Sequence, residues 1–174
     1  MGQGDDGITF FVDEMIPPLR ATTLLAVRGN AIRFFERGTD DATILEAAEQ
    51  SGGIVVTGDR WFYDQVHSRS PNRPSRFRRA GVIRIPGAWR EAEPLLGEWL
   101  PVIEAAYRVL QDRADTRLVV AFEPGQARIV IDNDPDPTTL QRLRRAGAPL
   151  RCGPTAPARL DRAGLWWGTP RGLP

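Results

Sequence analysis

Along the first two thirds of the chain, short unbroken apolar runs alternate with longer stretches in which apolar residues return every three or four positions. Ile8 to Val12 (ITFFV) is a continuous β-favouring run. After DEMIPP, the stretch LRATTLLAVRG sets Leu19, Thr23, Ala26 and Val27 on one helical face, and Gly29 ends it. Ala31 to Phe35 (AIRFF) reads as a second strand. Thr39 or Asp40 then caps a helix with Ile44, Leu45 and Ala48 as its apolar stripe and Gly52-Gly53 as its stop. IVVT (Ile54 to Thr57) is a third strand and GVIRI (Gly81 to Ile85) a fourth, with a polar loop between them. Glu91 to Arg113 is a long helix interrupted by Pro101. Strands separated by helices of ten or so residues predict an α/β fold of three layers, with a central, mainly parallel sheet between helices.

The last third follows another pattern. TRLVVAF and ARIVI flank a Pro-Gly turn, the signal of a β-hairpin. Beyond Asp132 the chain is rich in Pro, Gly and Arg, and only Thr138 to Ala146 reads as a short helix. A boundary near Asp115 therefore divides residues 1–114, an α/β domain, from residues 115–174, a C-terminal hairpin and Arg/Pro-rich extension. Trp166 and Trp167 in that extension either pack back onto the domain or anchor a partner.

Composition narrows the chemistry. The formal charge is +1, yet all 23 basic residues are arginine. Every mechanism that needs a lysine is thereby excluded. The one cysteine, Cys152, and the one histidine, His67, leave no Cys- or His-based metal cluster, and a Ser-His-Asp arrangement is unpersuasive. With no signal peptide and no apolar run of membrane-spanning length, a cytoplasmic protein without membrane contact is expected. The remaining ionisable chemistry belongs to carboxylates and arginines.

Those carboxylates have telling positions. Asp13 and Glu14 follow the first strand, Asp59 follows the third, and Asp40 and Asp41 open the helix between the second and third. In a parallel sheet the C-terminal strand ends share one edge, where ligands bind. Carboxylates gathered there repel unless a cation neutralises them, and oxygen ligands suit Mg²⁺ or Mn²⁺. A phosphoacceptor receiver lacks its lysine here, a haloacid-dehalogenase site lacks Asp-x-Asp, and a P-loop lacks Gly-Lys-Ser/Thr. Metal-dependent phosphodiester cleavage survives, with carboxylate-held ions activating water and stabilising the departing oxygen.

FFVDEMIPPL resembles the opening of the PIN-like domain family of VapC-type, toxin-like ribonucleases, whose first strand runs into Asp-Glu-x-x-Pro. GTDDATILEAAEQSGGIVVTGDRWF is similar to that family's middle, which ends in Thr-x-Asp-x-Asp-Phe. The resemblance covers roughly Ile8 to Pro86. It implies a PIN-like fold, Asp13, Asp41 and Asp59 as catalytic metal-binding acids, and Mg²⁺- or Mn²⁺-dependent cleavage of RNA, commonly as the toxin partnered by an antitoxin protein. A homodimer is kept as a further partner arrangement. Trp61 stands where the family often has a second aspartate. Asp64 replaces that acid as a metal ligand if RWFYDQ turns helically; otherwise it is a solvated or capping acid, and the chain is a catalytically weak binding module.

From Arg60 to Arg90 there are eight arginines and one acid. Guanidinium groups grip phosphate oxygens, and aromatic rings stack unpaired bases. Arg60, Arg76, Arg78, Arg79 and Trp61 are accordingly the candidate substrate-binding residues. His67 could donate a proton but reads as incidental.

Overall fold

A computed structural model describes residues 7–67, 75–113, 115–123, 126–132, 136, 138–139, 141–142, 160–161 and 164–168. The helix expected over Thr138 to Ala146, the Arg/Pro-rich segment and Cys152 lie wholly or largely outside them.

Four parallel connections build the centre. Strand β1 (Thr9–Val12) leads to helix α1 (Pro18–Leu25) and a 3₁₀ turn (Ala26–Arg28), then β2 (Ala31–Phe34), α2 (Asp41–Ser51), β3 (Ile54–Thr57), α3 (Arg60–Val66), β4 (Gly81–Arg84) and α4 (Trp89–Leu110). The chain ends its described course with β5 (Arg117–Glu123), β6 (Gln126–Asp132), β7 (Leu160–Asp161) and β8 (Gly164–Gly168). The spatial order is β2-β1-β3-β4-β5-β6-β8-β7. Strands β2 to β5 run parallel, and β6, β8 and β7 add antiparallel pairs.

Strand alternation sorts the side chains into two cores. Phe10, Val12, Ile54, Val56 and Ile83 pack beneath α1 and α4, whereas Phe11, Val55, Val82, Val119 and Val130 pack beneath α2 and α3. Helices thus cover both faces, as the alternating pattern implied. The hairpin expected as an appendage is continuous with the sheet: β5 pairs in parallel with β4 before turning into β6.

Three local expectations are corrected. The buried face of α1 carries Ala21 and Leu25, while Leu19 is 80% exposed. Pro18 opens this helix, and only two of its turns are available to meet the sheet. Helix α4 runs unbroken through Pro94 and Pro101. Its buried Trp99, Leu100 and Ile103 hold the helix where propensity alone would break it, and Pro101 lies on the exposed side. The segment after β3 is the ordered helix α3 rather than simply a polar loop.

Termination of α2 shows why Gly52-Gly53 is needed. Gly52 takes φ +68°, and Gly53 N–H closes onto Ala48 O at 2.9 Å. A Cβ on Gly53 would lie 2.4 Å from the Phe11 ring, so β3 begins against β1 only with glycine there.

Candidate functional site

Strands β1 and β3 are neighbours, yet the chain leaves them toward opposite faces: α1 packs in one layer and α3 in the other. Such divergence opens a crevice at the strand ends, the usual ligand site of an open parallel sheet. Asp13 follows β1 and Asp59 follows β3, so both stand at this crevice. Because α2 carries the chain back from the end of β2, its first residue, Asp41, arrives at the same edge.

Thr57 links the two strand-end acids. Its hydroxyl donates to Asp13 Oδ2 at 2.6 Å and accepts from Asp59 N–H at 2.9 Å. Thr57 is completely buried and Asp13 is 6% exposed. Asp13 is fixed further by its own N–H on Val56 O and by its carbonyl, which accepts from Ile16 N–H. Asp59 caps α3, accepting from Trp61 N–H at 2.7 Å. Glu14 turns away from this pair and accepts from Gly38 N–H at 3.1 Å, pinning the β2–α2 loop.

Asp41 registers the crowding. Partial burial, followed by the negative charges of Asp13, Asp59, Asp40 and Glu14, raises its carboxyl above the ordinary 3.8. These acids therefore share one electrostatic neighbourhood. Among the described residues, however, no group of three or more His, Cys, Asp or Glu side chains is arranged around a common ion position. Mg²⁺ is commonly bound through one or two carboxylates, with waters and substrate phosphates completing its shell. The hard oxygen donors of Asp13, Asp41 and Asp59 fit that chemistry. On the β2 side of Asp13 opens a cavity of about 320 Å³, walled by Met15, Ile16 and Phe34, with Asp13, Glu14 and Arg37 on its lining.

The other candidates separate. Arg60 follows Asp59 directly and pairs with Asp64 at 3.5 Å, one helical turn along α3. The segment RWFYDQ is indeed helical, and that turn sets Asp64 toward Arg60. Trp61, 36% exposed, meets the edge of Phe62. Arg76, Arg78 and Arg79 stand before β4, at the opposite edge: Gly81 pairs with Ile54 at the beginning of β3. At roughly 3.3 Å per residue, about 10 Å of strand separates that edge from Thr57. There Arg76 lies over the Phe77 ring, Arg78 pairs with Asp115 at 3.4 Å, and Arg79 donates to Gln50 O at 3.4 Å. Glu49 gathers the backbone N–H groups of Arg78, Arg79 and Ala80. The basic segment is thus not one surface running on from Asp59, because α3 carries the chain across the sheet.

His67 ends α3 at the far edge. Its Nδ1 lies 3.0 and 3.1 Å from the Asp132 oxygens, and Asp132 also meets the buried Arg117 at 3.4 Å. It is placed to hold α3 against β6, away from the acids. Sequence reading missed Thr57 as a site residue. The available signal was a hydroxyl at the last inward position of an otherwise apolar strand.

Fold and site together define an α/β protein with an acidic cluster at the divergence of two parallel strands. The chain matches no protein-family model, no curated protein and no solved structure.

Proposed function

We propose that the chain is a PIN-like, Mg²⁺- or Mn²⁺-dependent endoribonuclease, in the manner of a toxin paired with an antitoxin and working in the cytoplasm. The observation that carries this reading is the crowding of acids at one sheet edge: Thr57 bonds both strand-end acids, Asp13 and Asp59, and Asp41 opens α2 beside them. Such crowding is relieved by a divalent cation. Asp13, Asp41 and Asp59 would hold the ion, which when bound supplies activation of water and charge stabilisation at the phosphate. Thr57 orients Asp13 by holding one oxygen, leaving Oδ1 for a ligand. Arg60, exposed beside Asp59, is placed to meet a phosphate entering the crevice. Among the described residues no helix is long and apolar enough to cross a membrane.

The test compares wild type with Asp13→Asn and Asp59→Asn on mixed single-stranded RNA, with Mn²⁺ or with chelator. Asparagine at residue 59 keeps the helix cap, so loss of activity reports the charge. Mn²⁺-dependent cleavage leaving 5′-phosphate and 3′-hydroxyl ends, abolished by either change, supports the reading. Cleavage that survives both chelation and substitution overturns it.

A second reading, a catalytically weak or inactive nucleic-acid or protein-binding module, is favoured by two observations. Asp59 already spends Oδ1 on the α3 cap and no three-residue ligand group forms among the described residues. RNA binding without cleavage would select it.

A further inference from the structure

The sheet register extends the crevice edge beyond β3. Thr57 is paired with Arg84 on β4, Arg84 with Ala121 on β5, and Ala121 with Arg128 on β6. Alternation places all four on the face shared by α2 and α3, because Val82, Val119 and Val130, two residues away on their strands, belong to that core. Asp13, whose carboxylate meets Thr57, stands at the head of this row. At about 4.8 Å between strands, Arg84 and Arg128 are roughly 10 Å apart along it, with the small Ala121 between them.

Arg84 is half-buried, and its Nε is fully buried with no hydrogen-bond partner among the described residues. A buried guanidinium nitrogen left without an acceptor is costly, and Arg84 carries it at the end of β4, opposite Thr57. Arg128 is half-buried too, on the same row. By contrast, Arg76, Arg78 and Arg79 sit at the far edge, so the arginines the fold aligns with Asp13 differ from those that chain order suggested.

From this row we infer that Arg84 and Arg128 form a phosphate track, which leads the backbone of a nucleic-acid strand along the sheet edge to the carboxylates. The inference deepens the nuclease reading by assigning the groups that hold its substrate, and it rests on that reading for the substrate class. It requires no cleavage. The ligand chemistry is the phosphodiester oxyanion, taken bidentately by guanidinium.

The experiment measures binding of a fluorescein-labelled, short single-stranded RNA by anisotropy, in chelator, across a salt series. For single strands the slope of log K against log salt changes by roughly 0.7 for each phosphate neutralised. Arg84→Gln and Arg128→Gln are each expected to flatten the slope by about that amount, and the double variant by about twice as much. Arg84→Lys, which retains the charge, should retain the slope and so separates charge from folding. Arg108→Gln, exposed on α4 in the other layer, should leave the slope unchanged. Slopes equal to wild type in both glutamine variants, or no salt-dependent binding by wild type, overturn the track. The two readings fail separately. If Asp59→Asn abolishes cleavage while the arginine variants keep the wild-type slope, the nuclease stands and the track falls. If nothing is cleaved but the slopes flatten, the track stands alone. A DNA strand of the same sequence with the same slope supports the track and removes the preference for RNA.

Discussion

Thr57 holds Asp13 through a 2.6 Å hydrogen bond to Oδ2, joining the ends of two strands whose helices leave toward opposite faces. The hydroxyl's one proton is committed to Asp13, and its oxygen also accepts Asp59 N–H. Thr57→Val keeps shape and removes both bonds. Leaving the buried Asp13 carboxylate without that donor is expected to cost about 1–3 kcal/mol, and Thr57→Ser should recover most of it. Chemical denaturation of the three proteins checks this.

Asp41 gives a pH signature. Its carboxyl is raised in the folded protein above the ordinary 3.8, by burial and then by its acidic neighbours. The folded state therefore binds the proton more tightly than the unfolded chain. Its favourable contribution is complete below the unfolded value and is lost as pH rises through the folded value. Stability of wild type relative to Asp41→Asn should accordingly fall as pH rises through the acid range above 3.8 and then level off. Urea titrations at several pH values give the curve. A divalent cation that binds here should reduce this pH dependence.

Glu49 behaves in the opposite sense. Burial pushes its carboxyl up, but the N–H groups of Ala80, Arg79 and Arg78, with the Arg79 guanidinium, outweigh burial and hold it below the ordinary 4.5. The stability it supplies is present above 4.5 and lost as pH falls through the folded value. Glu49→Ala should cost about 1–2 kcal/mol near neutral pH, discounted for its partial exposure. The deficit should shrink on acidification.

The far edge holds a buried charge pair. Arg117 is 1% exposed and meets Asp132 at 3.4 Å, while its Nη1 donates to Phe77 O. Asp132→Ala leaves this guanidinium without its carboxylate and should cost about 3–5 kcal/mol. Adding Arg117→Met should restore much of the loss. The double-mutant cycle, followed by denaturation, measures the coupling.

The parallel core was legible because each strand is a short apolar run and Gly52-Gly53 leaves no alternative to a helix stop. The stripe of α2, Ile44, Leu45 and Ala48, is buried as its spacing implied. Positions of Asp13, Asp41 and Asp59 at one edge followed from strand order alone. What chain order concealed was everything decided between strands. Nothing local told that β5 would pair in parallel with β4, or that Arg84, not Arg79, would stand opposite Thr57. Nor could the local pattern choose the buried face of α1, where Leu19 competes with Leu25 on equal apolar terms. His67, in a basic stretch, gave no hint of Asp132, 65 residues away.

Strand β4 is hydrogen-bonded on both sides and has Gly81, Val82 and Ile83 fully enclosed. Severing the chain after residue 114 would strip away β5 and leave that greasy strand as an open template for any passing extended peptide, including its own copies. A fragment cut at the boundary suggested by composition is thus expected to aggregate where the longer chain does not. The hairpin serves as the seal on one flank of the sheet, so a change that loosens β5 should appear first as lost solubility rather than lost chemistry.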